Sequence, residues 1–341
     1  MSKQKICLIR GDGVGKEVIP AAAKVLSALG LGIQWVEAEA GYELFQRTGD
    51  AIPDATLAAI ADAGVALFGA TSSPSGGETG YRSPILVMRR TFDLYTNLRP
   101  VQSLPGNFSR QGIDLLVVRE NTEGLYSGRE RRDGDSTIAE RLITVQGSER
   151  IARTAYQQAV RRAAGVSRRA SLPGRVTIVH KANVLKLTDG LFRQCCLRIA
   201  EDFPGIETSE LLVDAAAMRL VRDPQNFDVI VTTNLFGDIL SDEACALIGG
   251  LGVAPSANIG PSVAVFEPVH GSAPDIAGQG IANPIGAILS SAMLLEHIGH
   301  EPDAQRVRQA VYAILADGVL PTDLGGNAST RQVTAAILQN L

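Results

Sequence analysis

This chain of 341 residues is poor in cysteine, histidine and tryptophan, with four, four and one respectively. Cys7, Cys195, Cys196 and Cys245 lack CxxC spacing and have no histidine pattern beside them, which excludes a zinc site and leaves buried, reduced thiols as the expectation. His180, His270, His297 and His300 are too few for a histidine-rich metal centre or a Ser-His-Asp triad to draw on, so carboxylates must carry any metal. There is no lysine-rich tract and the formal net charge is -4, so the electrostatic footprint of a nucleic-acid binder is missing. No apolar run approaches membrane-spanning length, and the opening MSKQKICLIRGDG holds an apolar stretch too short for a signal peptide. A cytoplasmic protein with no nucleic-acid or membrane partner is expected.

What is present is an ordinary globular balance, 45% hydrophobic and 20% charged residues. The length exceeds what one core usually serves, so two lobes are expected. Lys5 to Ile9 is an apolar run ending in Gly-Asp-Gly, and Val18 to Leu29 then has helical spacing, so the chain opens strand, loop, helix. Gln34 to Ala38 and Val65 to Phe68 read as strands, with a helix from Pro53 to Ala63 between them. Later strands are expected at Asp114 to Val118, Val176 to His180, Asp228 to Thr232 and Val263 to Phe266. Long helices are expected at Ser148 to Ala164, Leu191 to Asp202, Pro284 to Ile298 and Asp303 to Ala316. This alternation predicts an α/β fold with a largely parallel sheet covered on both faces. The glycine- and serine-rich loop Gly69 to Gly80 follows a strand's carboxyl end and is a candidate site wall. The charged stretch Arg129 to Thr144, with Asp133-Gly134-Asp135 as a turn signal, fits a projecting hairpin that reaches a partner subunit.

Gly11-Asp12-Gly13-Val14-Gly15 imitates a dinucleotide fingerprint, but its third glycine comes one position early and an aspartate stands where phosphate would approach. A tight structural turn is the better reading. The segment NLFGDILSDEA (234–244) is more specific, because Asp238 and Asp242 stand four apart at a helix start and face the same way. Hard divalent cations want such oxygen ligands. Helix capping accounts for one aspartate there but not for a second one turn inward. Asp214, in an otherwise apolar stretch, is a third carboxylate whose charge a metal would compensate. Lys181 follows an apolar strand, where a nearby cation can lower a lysine's pKa enough for it to act as a base, while a snorkelling surface lysine is the competing reading. Arg89, Arg99 and Arg119 could clamp a polycarboxylate through bidentate guanidinium forks, or each could make a surface ion pair.

Taken together these residues resemble the β-decarboxylating dehydrogenases, the family of isocitrate, 3-isopropylmalate and homoisocitrate dehydrogenases. The likeness runs from Ile6 to Asn327 and is carried by NLFGDILSDEA, HKANVLKLTDGLF (180–192), RENTEGLYSG (119–128) and EPVHGSAPDIAG (267–278). The resemblance implies an isopropylmalate-dehydrogenase-like two-domain fold with a mostly parallel central sheet, not a standard Rossmann fold. It implies a large cofactor domain over 1–99 and 252–341, and a small domain over 100–251 with a dimerisation arm around 129–145. It implies Mg2+ or Mn2+ held by Asp238 and Asp242, with Asp214 lent by the neighbouring subunit of a homodimer that can pair into a tetramer. Lys181, also from the partner chain, is implied as the base that takes the hydroxyl proton, and Tyr126 as the acid that protonates the enol after decarboxylation. Ser73, Ser83, Arg89, Arg99, Arg119, Tyr126, Lys181 and Asn183 would then meet a polycarboxylate substrate. Thr71, Ser73, Asn183, Glu267, His270, Gly271, Ser272, Ala273, Asp275, Ile276 and Asn283 would meet the nicotinamide cofactor.

NADP-using relatives carry lysine and tyrosine where this chain has Asp275 and Ile276, and an aspartate repels a 2′-phosphate, so NAD is expected. Isocitrate enzymes carry a serine and, two residues on, an asparagine; here Ser83 is present but Ile85 replaces the asparagine. Isopropylmalate enzymes have RELTGG where this chain reads RENTEG. The run from Gly80 to Arg90 and the PSANIG at 255–260 look most like homoisocitrate dehydrogenases. Homoisocitrate, converted to 2-oxoadipate in lysine synthesis through aminoadipate, is the expected substrate, isocitrate the alternative, with 3-isopropylmalate and tartrate behind them.

Overall fold

The computed structural model describes residues 4–74, 78–166 and 173–341; part of the glycine-rich loop, 75–77, lies outside them. In chain order the elements are β1 (Lys5–Ile9), α1 (Gly15–Ala28), β2 (Gln34–Ala38), α2 (Tyr42–Thr48), α3 (Asp54–Ala63), β3 (Val65–Phe68), α4 (Pro84–Thr91), β4 (Thr96–Gln102) and β5 (Asp114–Glu120). There follow β6 (Glu130–Asp133), β7 (Ser136–Ala139), α5 (Val145–Arg161), β8 (Arg175–His180), α6 (Thr188–Ala200), β9 (Glu207–Leu212), α7 (Val213–Arg222), β10 (Val229–Thr232) and α8 (Asn234–Ala246). The chain closes with β11 (Pro255–Ile259), β12 (Ala264–Pro268), α9 (Ile285–His297), α10 (Glu301–Ala316) and α11 (Thr330–Gln339). This is the expected α/β class with a large, mostly parallel sheet.

Strands β1, β2 and β3 coincide with their sequence expectations; β1 and β3 are compact apolar runs cut off by charge or glycine, while β2 sets Trp35 and Val36 between polar Gln34 and Glu37. Helix α5 begins before the expected Ser148, since Thr144 is its cap and accepts the backbone N–H of Gly147 at 3.0 Å. It ends before Ala164, where the backbone passes into a wider turn and Gly165 takes φ 107°. Among the described residues no helix is long and apolar enough to cross a membrane.

The chain divides into two compact units, one of Met1–Leu94, Leu104–Arg110 and Ile248–Leu341, the other of Tyr95–Ser103 and Gln111–Leu247. Tyr95–Ser103 thus falls in the second unit and Leu104–Arg110 in the first, where the sequence reading draws single boundaries at 99/100 and 251/252. In the first unit β1 pairs in parallel with β2 and β3, β3 with β12 in parallel, and β12 with β11 antiparallel. Cys7, Ile9, Ile60, Phe68, Met88, Leu94 and Val265 form one of its buried clusters, each large side chain contributing about 1.5–3 kcal/mol by leaving water. All four cysteines are buried and free.

In the second unit β5 pairs antiparallel with β4 and in parallel with β10, and β8 lies in parallel between β10 and β9. The stretch expected as a hairpin is one: β6 and β7 pair antiparallel from Glu130↔Ala139 to Asp133↔Ser136, turning at Gly134 with φ 60°. Its side chains are almost all exposed.

Candidate active site

Register in the second unit decides which side chains meet. Asn97 on β4 stands opposite Arg119 on β5, so their side chains share a face, and Arg99, two residues from Asn97, shares it too. Helix α8 starts two residues after β10 and packs over β4 and β5. Gly237 makes that approach close: a Cβ there would stand 2.6 Å from Arg119 Cγ. Arg119 is consequently buried, with its side chain 1% exposed, and donates through Nε to Asn234 O at 2.9 Å and through Nη2 to Asn234 Oδ1 at 2.8 Å.

The two arginines meet the two aspartates. Arg119 Nη1 donates to Asp238 Oδ1 at 2.6 Å, and Arg99 Nη2 lies 3.1 Å from the same oxygen. Arg99 Nη1 donates to Asp242 Oδ1 at 2.9 Å and to Ser241 Oγ at 2.7 Å, while its Nε donates to Asn97 Oδ1 at 2.8 Å. The Tyr126 hydroxyl donates to Asp238 Oδ2, and the Arg119 guanidinium carbon lies 5.1 Å from the centre of the tyrosine ring. Arg99, Arg119, Tyr126, Asp238 and Asp242, singled out from scattered motifs, thus form one cluster. Thr233 occupies the N-cap position of α8 without a side-chain cap, so neither aspartate stands at that position. Burial pushes the Tyr126 phenol upward, helped by Asp238 and opposed by Arg119, so the phenol holds its proton at neutral pH. Burial likewise pushes the Asp242 carboxyl upward against the pull of Arg99.

Lys181 and Asp214 sit together: Lys181 Nζ donates to Asp214 Oδ1 at 2.5 Å, which pulls the carboxyl below its usual range. The expectation that Asp214 is a charge in apolar surroundings is corrected here, since its side chain is 65% exposed in the first turn of α7. Asn183 is exposed. Among the described residues no three His, Cys, Asp or Glu side chains gather into a metal-holding group. Asp238 and Asp242 are oxygen donors of the kind a hard dication prefers, and two from one chain leave most of an octahedral shell to other donors.

The remaining candidates lie in the first unit. Ser83 occupies the capping position of α4 without capping it, so its hydroxyl is not engaged there. Arg89, buried on α4, has an Nη 3.8 Å from Glu267 Oε1, and Glu267 accepts from Asn258 Nδ2 at 2.7 Å. Thr71 and Ser73 flank Ser72, whose N–H donates to Asp12 and whose Oγ donates to Ser272 Oγ, both at 2.8 Å. In the turn after β12, Asp275 is exposed and Ile276 half-buried. Ala273 there takes φ 39°, a strained value for a residue with a Cβ and one that concentrates at functional turns. His270 Nδ1 lies 2.9 Å from Gly271 O, while its buried Nε2 has no hydrogen-bond partner among the described residues. An orphaned ring nitrogen beside a strained turn fits a base or ribose as its missing partner. Asn283 donates to Asp323 Oδ2 at 3.1 Å and accepts from Ile285 N at 3.0 Å.

The profile of the isocitrate/isopropylmalate dehydrogenase family matches residues 5–337. The chain belongs to that family. It is 52% identical to an isocitrate/homoisocitrate dehydrogenase of Thermus thermophilus over 99% of this chain and 98% of that one. It is 49% identical to a homoisocitrate dehydrogenase of Methanocaldococcus jannaschii over 98% and 96% of the two. Among solved structures, isocitrate dehydrogenase from Methylococcus capsulatus is 44% identical and superimposes with a TM-score of 0.92, covering 99% of both chains. As a family member the chain is a β-decarboxylating hydroxy-acid dehydrogenase, an oxidoreductase.

Sequence reasoning missed residues in both units that hold the candidate side chains or their loops. Asn234, which fixes Arg119, and Ser241, which meets Arg99, stand inside the motif that carries the aspartates. Asp12 was read only as an obstacle to phosphate. Its carboxylate in fact accepts the backbone N–H groups of Tyr42, Glu43 and Ser72 at 2.7, 3.1 and 2.8 Å. Asp323, whose carboxyl burial pushes upward, had no signal beyond lying near Asn327, where the family likeness ends.

Proposed function

We propose that this chain oxidises homoisocitrate with NAD and releases carbon dioxide to give 2-oxoadipate, as a homodimer that requires Mg2+ or Mn2+. The observation that carries the reading is the cluster of Arg99, Arg119 and Tyr126 on Asp238 and Asp242. Two guanidiniums and two carboxylates sum to zero charge in a partly dehydrated pocket. A dication at the aspartates and a pair of substrate carboxylates at the arginines would enter together without upsetting that balance, whereas either alone would leave uncompensated charge. When bound, the cation would acidify the hydroxyl and hold negative charge as carbon dioxide leaves, and NAD would accept the hydride. Lys181 takes the hydroxyl proton; Tyr126, protonated at neutral pH, returns one to carbon.

The choice of homoisocitrate is supported by Ile85, which stands where isocitrate enzymes have asparagine, by RENTEG in place of RELTGG, and by relatives named for homoisocitrate. Isocitrate is the second reading, favoured by Ser83 and by the dual name of the Thermus relative. NAD reduction measured side by side with homoisocitrate, isocitrate, 3-isopropylmalate and tartrate tests it. The highest kcat/KM is expected for homoisocitrate, abolished by EDTA and restored by magnesium; the highest value for isocitrate would overturn the role given to Ile85.

Exposed Asp275 supports NAD over NADP. Asp275→Lys with Ile276→Tyr is expected to shift the NADP/NAD ratio of kcat/KM upward by at least about tenfold, since repulsion of a phosphate gives way to an ion pair; no gain would refute the assignment.

The homodimer is supported by apolar side chains left in solvent on the second unit: Val184 and Leu187 after β8, Met218 and Val221 on α7, and Ile239 on α8. Leu187 is 88% exposed and Ile239 58%. Ile239→Asp is expected to yield an inactive monomer by analytical ultracentrifugation, with the secondary structure intact by circular dichroism. A fully active monomer would dismiss the shared site.

A further inference from the structure

Arg141, Asp189 and Thr233 make a buried polar junction that the reaction outlined above does not use. Asp189, in the first turn of α6, is wholly buried, and its Oδ1 lies 2.7 Å from Nη2 of Arg141. Its Oδ2 accepts the backbone N–H of Lys181 at 2.6 Å. The same Arg141 Nη2 donates to Thr233 Oγ1 at 2.8 Å, and the guanidinium carbon lies 4.5 Å from the centre of the Phe236 ring. Thr233 immediately precedes α8 and Phe236 is in its first turn. One guanidinium therefore holds the start of the helix bearing Asp238 and Asp242 and, through Asp189, the main chain at Lys181.

The turn that follows Lys181 is closed by its own backbone. Lys181 O accepts from Val184 N at 3.0 Å and Leu185 N at 2.8 Å, and Leu185 O accepts from Asp189 N at 3.0 Å. With its N–H held by Asp189 and its carbonyl held by the turn, Lys181 keeps only side-chain freedom. A single backbone N–H needs no buried charge as acceptor, and a buried ion pair is a poor source of stability compared with well-packed apolar side chains. The pair does supply a fixed position for the amide it holds.

We propose that Asp189 and Arg141 are positioning residues for Lys181, fixing the main chain from which its amine reaches the substrate hydroxyl. This rests on Lys181 being the base. A displacement of about 1 Å in a reacting group costs on the order of a hundredfold in rate.

The test is a double-mutant cycle on the full enzyme with homoisocitrate, NAD and magnesium. Asp189→Asn is expected to lower kcat roughly tenfold to a hundredfold with KM within about twofold, since the loss falls on the proton transfer and not on binding. In a Lys181→Ala background, the same change is expected to alter the residual rate by less than about twofold, because there is no amine left to position. A parental kcat in Asp189→Asn overturns the proposal, as does an equal further loss in the Lys181→Ala background, which would mark a general structural role. Should Asp189→Asn fail to fold, Arg141→Lys, which keeps the charge and withdraws the guanidinium whose Nη2 meets both Asp189 and Thr233, enters the same cycle with the same expectation. If Lys181→Ala alone is fully active, it is the base assignment that fails, and this proposal with it; an inactive Lys181→Ala beside an unaffected Asp189→Asn sinks the pair alone.

Discussion

Turnover is expected to collapse in the Asp238→Asn/Asp242→Ala variant, by on the order of a thousandfold or more. A cation that stabilises charge on the reacting oxygens is worth several kcal/mol, and ~1.4 kcal/mol is tenfold in rate. The two positions should separate in stability. Asp238 is the shared counter-charge of Arg99 and Arg119, whose side chains are 9% and 1% exposed, so Asp238→Asn alone withdraws a carboxylate from two buried cations, of which Arg99 keeps Asp242. It should cost on the order of 3 kcal/mol of folding free energy in urea denaturation. Asp242 has its side chain 48% exposed and pairs with Arg99, which Asp238 also holds, so Asp242→Ala should cost less than about 1 kcal/mol. Near-parental turnover in the double variant refutes the assignment of the aspartates to a cation.

The second large effect belongs to Lys181→Ala: a fall in kcat of about 10²–10⁴, the usual worth of a positioned base. Its melting temperature should hold to within a few degrees, because Asp214, the partner that loses its counter-charge, is 65% exposed and rehydrates. The subunit arrangement can be read from the same protein. Co-expressing the Lys181→Ala chain with the Asp238→Asn/Asp242→Ala chain leaves each mixed dimer with one site complete, provided Lys181 serves its neighbour. Random pairing of two inactive chains in a two-fold dimer should then recover roughly a quarter of parental activity. No recovery would mean that lysine and aspartates of one chain work together.

The strands most legible in the sequence are those whose buried side chains are all apolar, such as Val65–Phe68. Two of those that escaped reading, β4 and β11, bury polar side chains. In β4, Thr96, Asn97 and Arg99 are 1%, 0% and 7% exposed; in β11, Ser256 and Asn258 are 1% and 0% exposed. These residues break the alternation of apolar and polar positions because what they face is α8 or a neighbouring carboxylate and not a greasy core. The carboxylate pair was legible because four-residue spacing on a helix is local information. The support of Arg119 by Asn234 was not, as the two are 115 residues apart in the chain and meet only through the register of β5 and β10. The Arg141–Asp189 junction escaped for the same reason, with one partner at the root of the hairpin and the other in the first turn of α6.

The Gly11–Gly15 loop carries a lesson for anyone who would re-engineer this enzyme's redox partner. A Cβ at Gly13 would strike Ser272 O at 2.0 Å, and one at Gly15 would strike Arg10 O at 2.2 Å. Asp12 stands against Gly41, where a Cβ would lie 2.5 Å from its carboxylate, and already consumes three backbone donors. Grafting a phosphate cradle from a Rossmann enzyme onto this stretch would unpick the knot joining three loops. The handle for redesign is the turn after β12, whose Asp275 and Ile276 can be exchanged without disturbing that knot.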